Sequence, residues 1–233
     1  MTNKIETRYL PEVLKNHAQD MTGKVVAITG TTSGTGYVCA LEVAKKGATV
    51  ILLNRNSERS KNALIQLQTE IPYGKFDALD CDLQSFASVN KAMDNIKTKY
   101  EVIDVLVNNA GVMALKDEAT EDGYDVQIQT NVISHFLITK ELFPLLKKSE
   151  DARIVNHSSM ARLGGNLESR YFEKKGGNLG GNGTEQENVN FQGPRWKRYQ
   201  QTKLANCNFS YGLKQKFEEA NITNMKALLA HPR

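Results

Sequence analysis

The chain has 233 residues, 40% of them hydrophobic, which is enough to bury one core of ordinary domain size. Its formal net charge of +4 is scattered, with no Lys/Arg tract or basic-aromatic stripe, so nucleic acid is not an expected partner. Cys39, Cys81 and Cys207 lie far apart without Cys-x-x-Cys spacing, and His17, His135, His157 and His231 form no ligand pattern, so neither a disulfide framework nor a metal site is expected.

No apolar run approaches the roughly 18 residues of a transmembrane segment, and the polar residues 1–19 do not read as a secretory signal. The expected location is cytoplasmic, in a reducing compartment. Residues 1–22 read as a polar N-terminal extension and residues 23–233 as one domain.

Residues 24–29 are almost continuously apolar and stop at Gly30, as a strand buried on both faces does. A helix is predicted over 36–46, where Val38, Ala40, Leu41, Val43 and Ala44 fall at helical spacing, and Gly47 ends it. The alternation then continues: strand 48–53, helix 57–69, strand 75–79, and helix 85–100 with Ser85 as N-cap. Next come strand 102–107, one long helix 122–147, strand 153–156, helix 199–220 and a sixth strand, 225–229. Such alternation means an α/β fold, a doubly wound parallel sheet in three layers. Residues 164–193 break the rhythm with Gly164-Gly165, Gly176-Gly177 and Gly180-Gly181-Asn182-Gly183. They read as a glycine-rich surface loop insertion without a packed core, directly before the helix that carries Tyr199.

Two segments carry chemistry. Gly30, Gly34 and Gly36, with Thr32 and Ser33 between them, sit between the first strand and its helix. There glycines allow close backbone approach, and the helix N-terminus offers free N–H groups to a pyrophosphate. In the second segment Tyr199 and Lys203 stand at i and i+4, a phenol and an ammonium one helical turn apart. The second strand ends in Leu53-Asn54-Arg55-Asn56, with no carboxylate before Glu58. An acidic residue there would suit NAD, whereas the Arg55 guanidinium suits a 2′-phosphate, so NADP(H) is preferred over NAD(H). Tyr171 also has a lysine at i+4, Lys175, but the glycines that follow cannot sustain a helix, which leaves Tyr199 as the reactive tyrosine.

Thr29-Gly30-x3-Gly34-x-Gly36, Asp82-Leu83, Asn108-Asn109-Ala110-Gly111, Asn131, Ser159 and Tyr199-x3-Lys203 occur together and in this order. In this set the chain resembles the short-chain dehydrogenase/reductase family over residues 23–232. Residues 53–56 and 202–206 are most similar to the branch with retinol dehydrogenases, WW-domain oxidoreductase and protochlorophyllide reductase. The resemblance implies a Rossmann-type fold, Asp82 and Leu83 near the adenine, and Asn108, Asn109, Ala110 and Gly111 shaping the cofactor floor. It also implies a tetrad of Asn131, Ser159, Tyr199 and Lys203. Ser158 is the alternative to Ser159, and the resemblance favours Ser159.

Lys203, with the positive oxidised nicotinamide, is expected to bring the Tyr199 phenol down, Ser159 to bond the substrate oxygen, and Asn131 to hold a water that joins Lys203 to solvent. The implied activity is hydride transfer between a carbonyl and an alcohol on a lipophilic small molecule, with a homo-oligomer allowed. Family members continue beyond His231-Pro232 into a lid and a seventh strand. Six strands are therefore expected with a seventh missing, and a catalytically impaired or truncated nucleotide-binding protein is the competing expectation.

Overall fold

Six short strands form one sheet in the computed structural model of the chain, which describes residues 10–175 and 179–231. They are β1 (Val25–Thr29), β2 (Thr49–Asn54), β3 (Lys75–Asp80), β4 (Val105–Asn108), β5 (Ala152–His157) and β6 (Met225–Ala230). Every pairing is parallel, in the order β3-β2-β1-β4-β5-β6. Val26 stands opposite both Val50 and Val105, and Ile154 opposite Leu106 and Ala227. The strand order reverses between β1 and β4, and a crevice opens at the carboxyl ends of strands where that happens.

The helices are α1 (Leu10–His17), α2 (Gly34–Lys45), α3 (Glu58–Glu70), α4 (Phe86–Lys99), α5 (Val126–Ile128), α6 (Ser134–Leu146) and α7 (Gly193–Glu219). Alternate strand residues divide between two cores. Val26, Ile28, Val50 and Leu52 pack with Ala40, Ala44 and Leu67 from α2 and α3. Ala27, Ile51, Leu106 and Ile154 pack with Met93, Ile96, Ile138, Leu142 and Phe217 on the other face. Three layers result, because a parallel sheet must cover both faces. Beyond α2, Val105, Val107 and Val155 line an open apolar cavity of about 410 Å³.

Local chemistry explains most boundaries. Ser57 caps α3 reciprocally with Ser60, and Ser85, the expected N-cap, caps α4 through the Ser88 amide. Three expectations need correction. Residues 122–147 are not one helix. The Asp122 carboxylate is taken by the Phe86 amide and the Gln129 side chain, and Asp125 caps α5 instead. A π-helical turn, Gln129–Ile133, then precedes α6. The last long helix begins at Gly193 rather than Tyr199, since Pro194 fits a first turn where its missing N–H costs nothing.

The insertion also packs more than its glycines suggest: Tyr171 and Leu179 are buried against Ile128. Within the polar N-terminal extension, residues 10–17 form α1. Residues 1–9, 176–178, 232 and 233 lie outside the described residues.

Candidate active site

The strand-order reversal opens into a cleft of about 580 Å³ at the ends of β1, β2, β4 and β5. Its floor is the glycine turn. Gly30 takes φ +72°, and an added Cβ would lie 2.8 Å from Ala110, so only glycine lets the two backbones meet. Gly36 is buried, and a Cβ there would stand 2.2 Å from the Gly30 carbonyl and 2.4 Å from Asn109 Nδ2. Asn109 staples this turn: Nδ2 donates to the Thr29 and Gly30 carbonyls, while Oδ1 accepts from Thr35 Oγ1 at 2.8 Å. Asn54 does the same from β2, bonding Thr31 through both ends of its carboxamide.

Thr32, Ser33 and Gly34 line the cleft at the N-terminus of α2, whose first turn has no acidic residue and whose Ser33 makes no side-chain cap bond. Free amides and an uncompensated helix dipole therefore face the cleft. Arg55 is exposed on its rim. Sequence reasoning missed Arg59, which stands in the first turn of α3 and donates through Nη2 to Ser33 Oγ. Only the approach of α3 to the glycine turn reveals it.

Further along, Asp82 and Leu83 line the cleft, with Asp82 Oδ1 accepting the Gln84 amide. Ala110 and Gly111 also face it, whereas Asn108 turns into a buried network with Thr139 and Asn156. Asn108 thus shapes the floor from below rather than facing the cleft.

The reactive end brings Ser159, Tyr199 and Lys203 together on the cleft wall. Ser158 is 1% exposed and donates to the Lys203 carbonyl, while Ser159 stays half-buried beside the Tyr199 phenol. Lys203 Nζ lies 5.6 Å from the Tyr199 ring centroid and donates to the His157 carbonyl at 3.1 Å. Burial pulls the Lys203 ammonium down to about 8. Burial also holds the Tyr199 phenol above its ordinary value, with the Ser159 hydroxyl pulling the other way. Without the nicotinamide, the phenol is not lowered: burial outweighs the Ser159 hydrogen bond.

Asn131 sits in the π-helical turn, fully buried, and its carboxamide is committed. Oδ1 accepts the Val112 amide, and Nδ2 donates to the Val112 carbonyl and Thr202 Oγ1. Its own carbonyl accepts from His135 Nδ1, which fixes that tautomer and leaves Nε2 to accept from Thr29 Oγ1. The side chain therefore pins the segment after β4 to α7. Tyr171 is buried in its own small cluster, away from the cleft residues.

The family model described as short chain dehydrogenase matches residues 24–176. An uncharacterized oxidoreductase of Schizosaccharomyces pombe is 42% identical over 168 residues, 70% of this chain and 50% of its own length. Retinol dehydrogenase 13 of Mus musculus is 32% identical over 204 residues, 86% of this chain and 56% of its own. The chain thus spans about half the length of these curated relatives.

Among solved structures, an uncharacterized protein from Mycobacterium paratuberculosis superposes with a TM-score of 0.74 at 32% identity, covering 92% of this chain and 69% of that one. The short chain dehydrogenase from Shigella flexneri matches in fold, with a TM-score of 0.68 at 22% identity over 92% of this chain and 74% of that one. With the family model covering residues 24–176 and retinol dehydrogenases among its relatives, this chain belongs to the short-chain dehydrogenase/reductase family.

Proposed function

We propose that the chain is an NADP(H)-dependent oxidoreductase that interconverts a carbonyl and an alcohol by hydride transfer, acting on a lipophilic small molecule. One observation carries this reading: a phenol, a serine hydroxyl and a buried ammonium line the same cleft as a glycine turn with free helix amides. The residues fit a dinucleotide. Gly34, Ser33 and Thr32 would hold the pyrophosphate, Arg55 and Arg59 the 2′-phosphate, and Asp82 and Leu83 the adenine. Asn109, Ala110 and Gly111 would floor the ribose and nicotinamide end.

When bound, the nicotinamide supplies or accepts the hydride. Tyr199 then protonates the carbonyl oxygen, or takes the alcohol proton in reverse. Ser159 donates to the same oxygen and orients it. Lys203, held by the His157 carbonyl, lends its positive field to the developing phenolate. Exposed Met113 on the cleft wall, with exposed Met160 and Leu163 following Ser159 in the chain, favours an apolar substrate.

The test is an NADPH-binding titration beside turnover of a panel of short and long-chain aldehydes and ketones. Binding with turnover that rises with chain length is expected. Binding without turnover of any carbonyl would reduce the chain to a nucleotide-binding protein.

A further inference from the structure

Beside the reactive tyrosine lies an ion cluster that the proposed chemistry does not use. Arg198 precedes Tyr199 in α7 and is 0% exposed, a large charged side chain in full burial. Its Nε is 2.9 Å from Oδ2 of Asp125, which is equally buried. Nη2 donates to the Leu115 carbonyl at 2.9 Å, and Nη1 donates to the carbonyls of Gly181 and Pro194. Asp117 Oδ2 stands 3.9 Å from Nη1 and accepts the Gly181 amide at 2.8 Å, while the Asp117 amide donates to Asn182 Oδ1.

One guanidinium therefore ties together three distant segments: the stretch after β4, the cap of α5 and the glycine-rich insertion. Gln127 adds a parallel tie, donating to the Arg195 carbonyl at 3.1 Å. The other ties at the start of α7 run to the insertion itself: Asn188 Oδ1 accepts the Arg195 amide, the Asn188 carbonyl accepts from Trp196 Nε1, and Glu185 pairs with Arg195.

Burying such a pair is costly, and an apolar replacement often stabilises as well. What an apolar side chain lacks is a planar fork aimed at several carbonyls in fixed directions. The cluster is only partly satisfied. The Arg198–Asp125 contact is close without being an aligned hydrogen bond. Five of the seven buried polar atoms without a partner among the described residues fall here: Asp117 Oδ1, Asp125 Oδ2, Gln127 Oε1, Arg195 Nε and Arg198 Nε. A network like this is sensitive to small changes in its members.

We propose that Arg198 is a positioning residue for Tyr199, a buried latch that fixes the first turns of α7 and the 179–183 segment against the stretch after β4 and the cap of α5. The positioning role rests on the hydride-transfer reading above; the latch itself does not.

The test compares wild type with Arg198→Lys, which keeps the charge and loses the fork, by amide hydrogen exchange, NADPH titration and carbonyl turnover. Amides of residues 195–202 and 179–183 should exchange at least tenfold faster, with β1, β2 and β4 unchanged. The NADPH Kd should stay within threefold while kcat falls at least tenfold and the carbonyl KM holds. Unchanged exchange at 195–202 overturns the latch, and faster exchange with unchanged kcat overturns the positioning role. A wild type inactive on every carbonyl removes the functional reading and leaves exchange to decide the latch. Should Arg198→Lys fail to fold, Asp117→Asn carries the same readout, with a threefold rise expected and no rise overturning the latch.

Discussion

Lys203 Nζ meets the main-chain carbonyl of His157 at 3.1 Å, across 46 residues of sequence, in a contact that leaves Lys203 only 4% exposed. The same carbonyl accepts from Asn206 Nδ2 at 3.1 Å, so the end of β5 is fixed to α7 by two donors. That junction sets the distance between the strand that delivers Ser159 and the helix that delivers Tyr199. It also places an ammonium where burial penalises its charge.

The first expectation follows from that penalty. Lys203 is pulled from the ordinary lysine value of 10.5 to about 8. Between those pH values the unfolded chain keeps a proton that the native state has released, so this group's contribution to stability rises with pH across the window. Below pH 8 both states are protonated and the native state bears the full cost. Lys203→Met should therefore raise thermal stability at pH 7, by at most about 3 kcal/mol, with the advantage fading toward pH 10.5. Asn206 still satisfies the His157 carbonyl in the variant. Turnover should be lost at every pH. Melting curves across pH check this, and a variant less stable than wild type at pH 7 would show that the ammonium is not under strain.

A second expectation separates the two tyrosines that precede a lysine by four residues. Tyr199 faces the cleft beside Ser159, and Tyr171 packs on Ile128 with its hydroxyl accepting from Arg170. Tyr199→Phe keeps the ring against Trp196 and removes only the proton donor, so kcat should fall about a thousandfold while NADPH affinity holds. Tyr171→Phe should leave kcat within twofold. A reversed pattern would move the reactive phenol to the insertion.

Much of this was legible in the sequence, for definable reasons. Strands buried on both faces write near-continuous apolar runs, so β1, β2 and β4 announce themselves locally. The glycine turn and the Tyr199–Lys203 pair are local too, because each depends on spacing within one element. What escaped was non-local. Arg59 matters only because α3 leans toward Ser33, and His157 acts through its carbonyl, which no side chain signals. Arg198 looks like one more basic residue in Trp196-Lys197-Arg198 until the fold puts Asp125 against it. The π-helical turn was hidden inside good helical spacing, with no breaker residue to mark it.

A third expectation divides the roles of two glycines. Gly34 has φ +60° with open space where a Cβ would stand, at the cleft surface, while Gly36 is walled by the Gly30 carbonyl and Asn109. Gly36→Ala should cost about 1–3 kcal/mol of stability by overpacking and deform the turn. Gly34→Ala should cost only about 1 kcal/mol of backbone strain, yet weaken NADPH at least tenfold because its methyl enters the phosphate space. Paired denaturation and titration curves check the division. Equal stability losses for the two variants would refute it.

The last expectation concerns cofactor choice, where the structure adds a second cation to the one read from sequence. Arg55 is exposed on the rim, and Arg59 is already oriented by Ser33 at the glycine turn. A pair of guanidiniums beside a ribose 2′ position suits a phosphate, and hydrogen bonds to a charged group contribute roughly 1.5–3 kcal/mol each. Arg55→Ala should therefore weaken NADPH about tenfold or more and leave NADH nearly unchanged. Arg59→Ala should do the same to a lesser degree, since part of its donor capacity serves Ser33. The double variant should bind the two cofactors about equally. Because the 2′-phosphate is the only difference between them, equal losses for NADPH and NADH in Arg55→Ala would mean that Arg55 reads the shared part of the dinucleotide or nothing at all, and the assignment would fall.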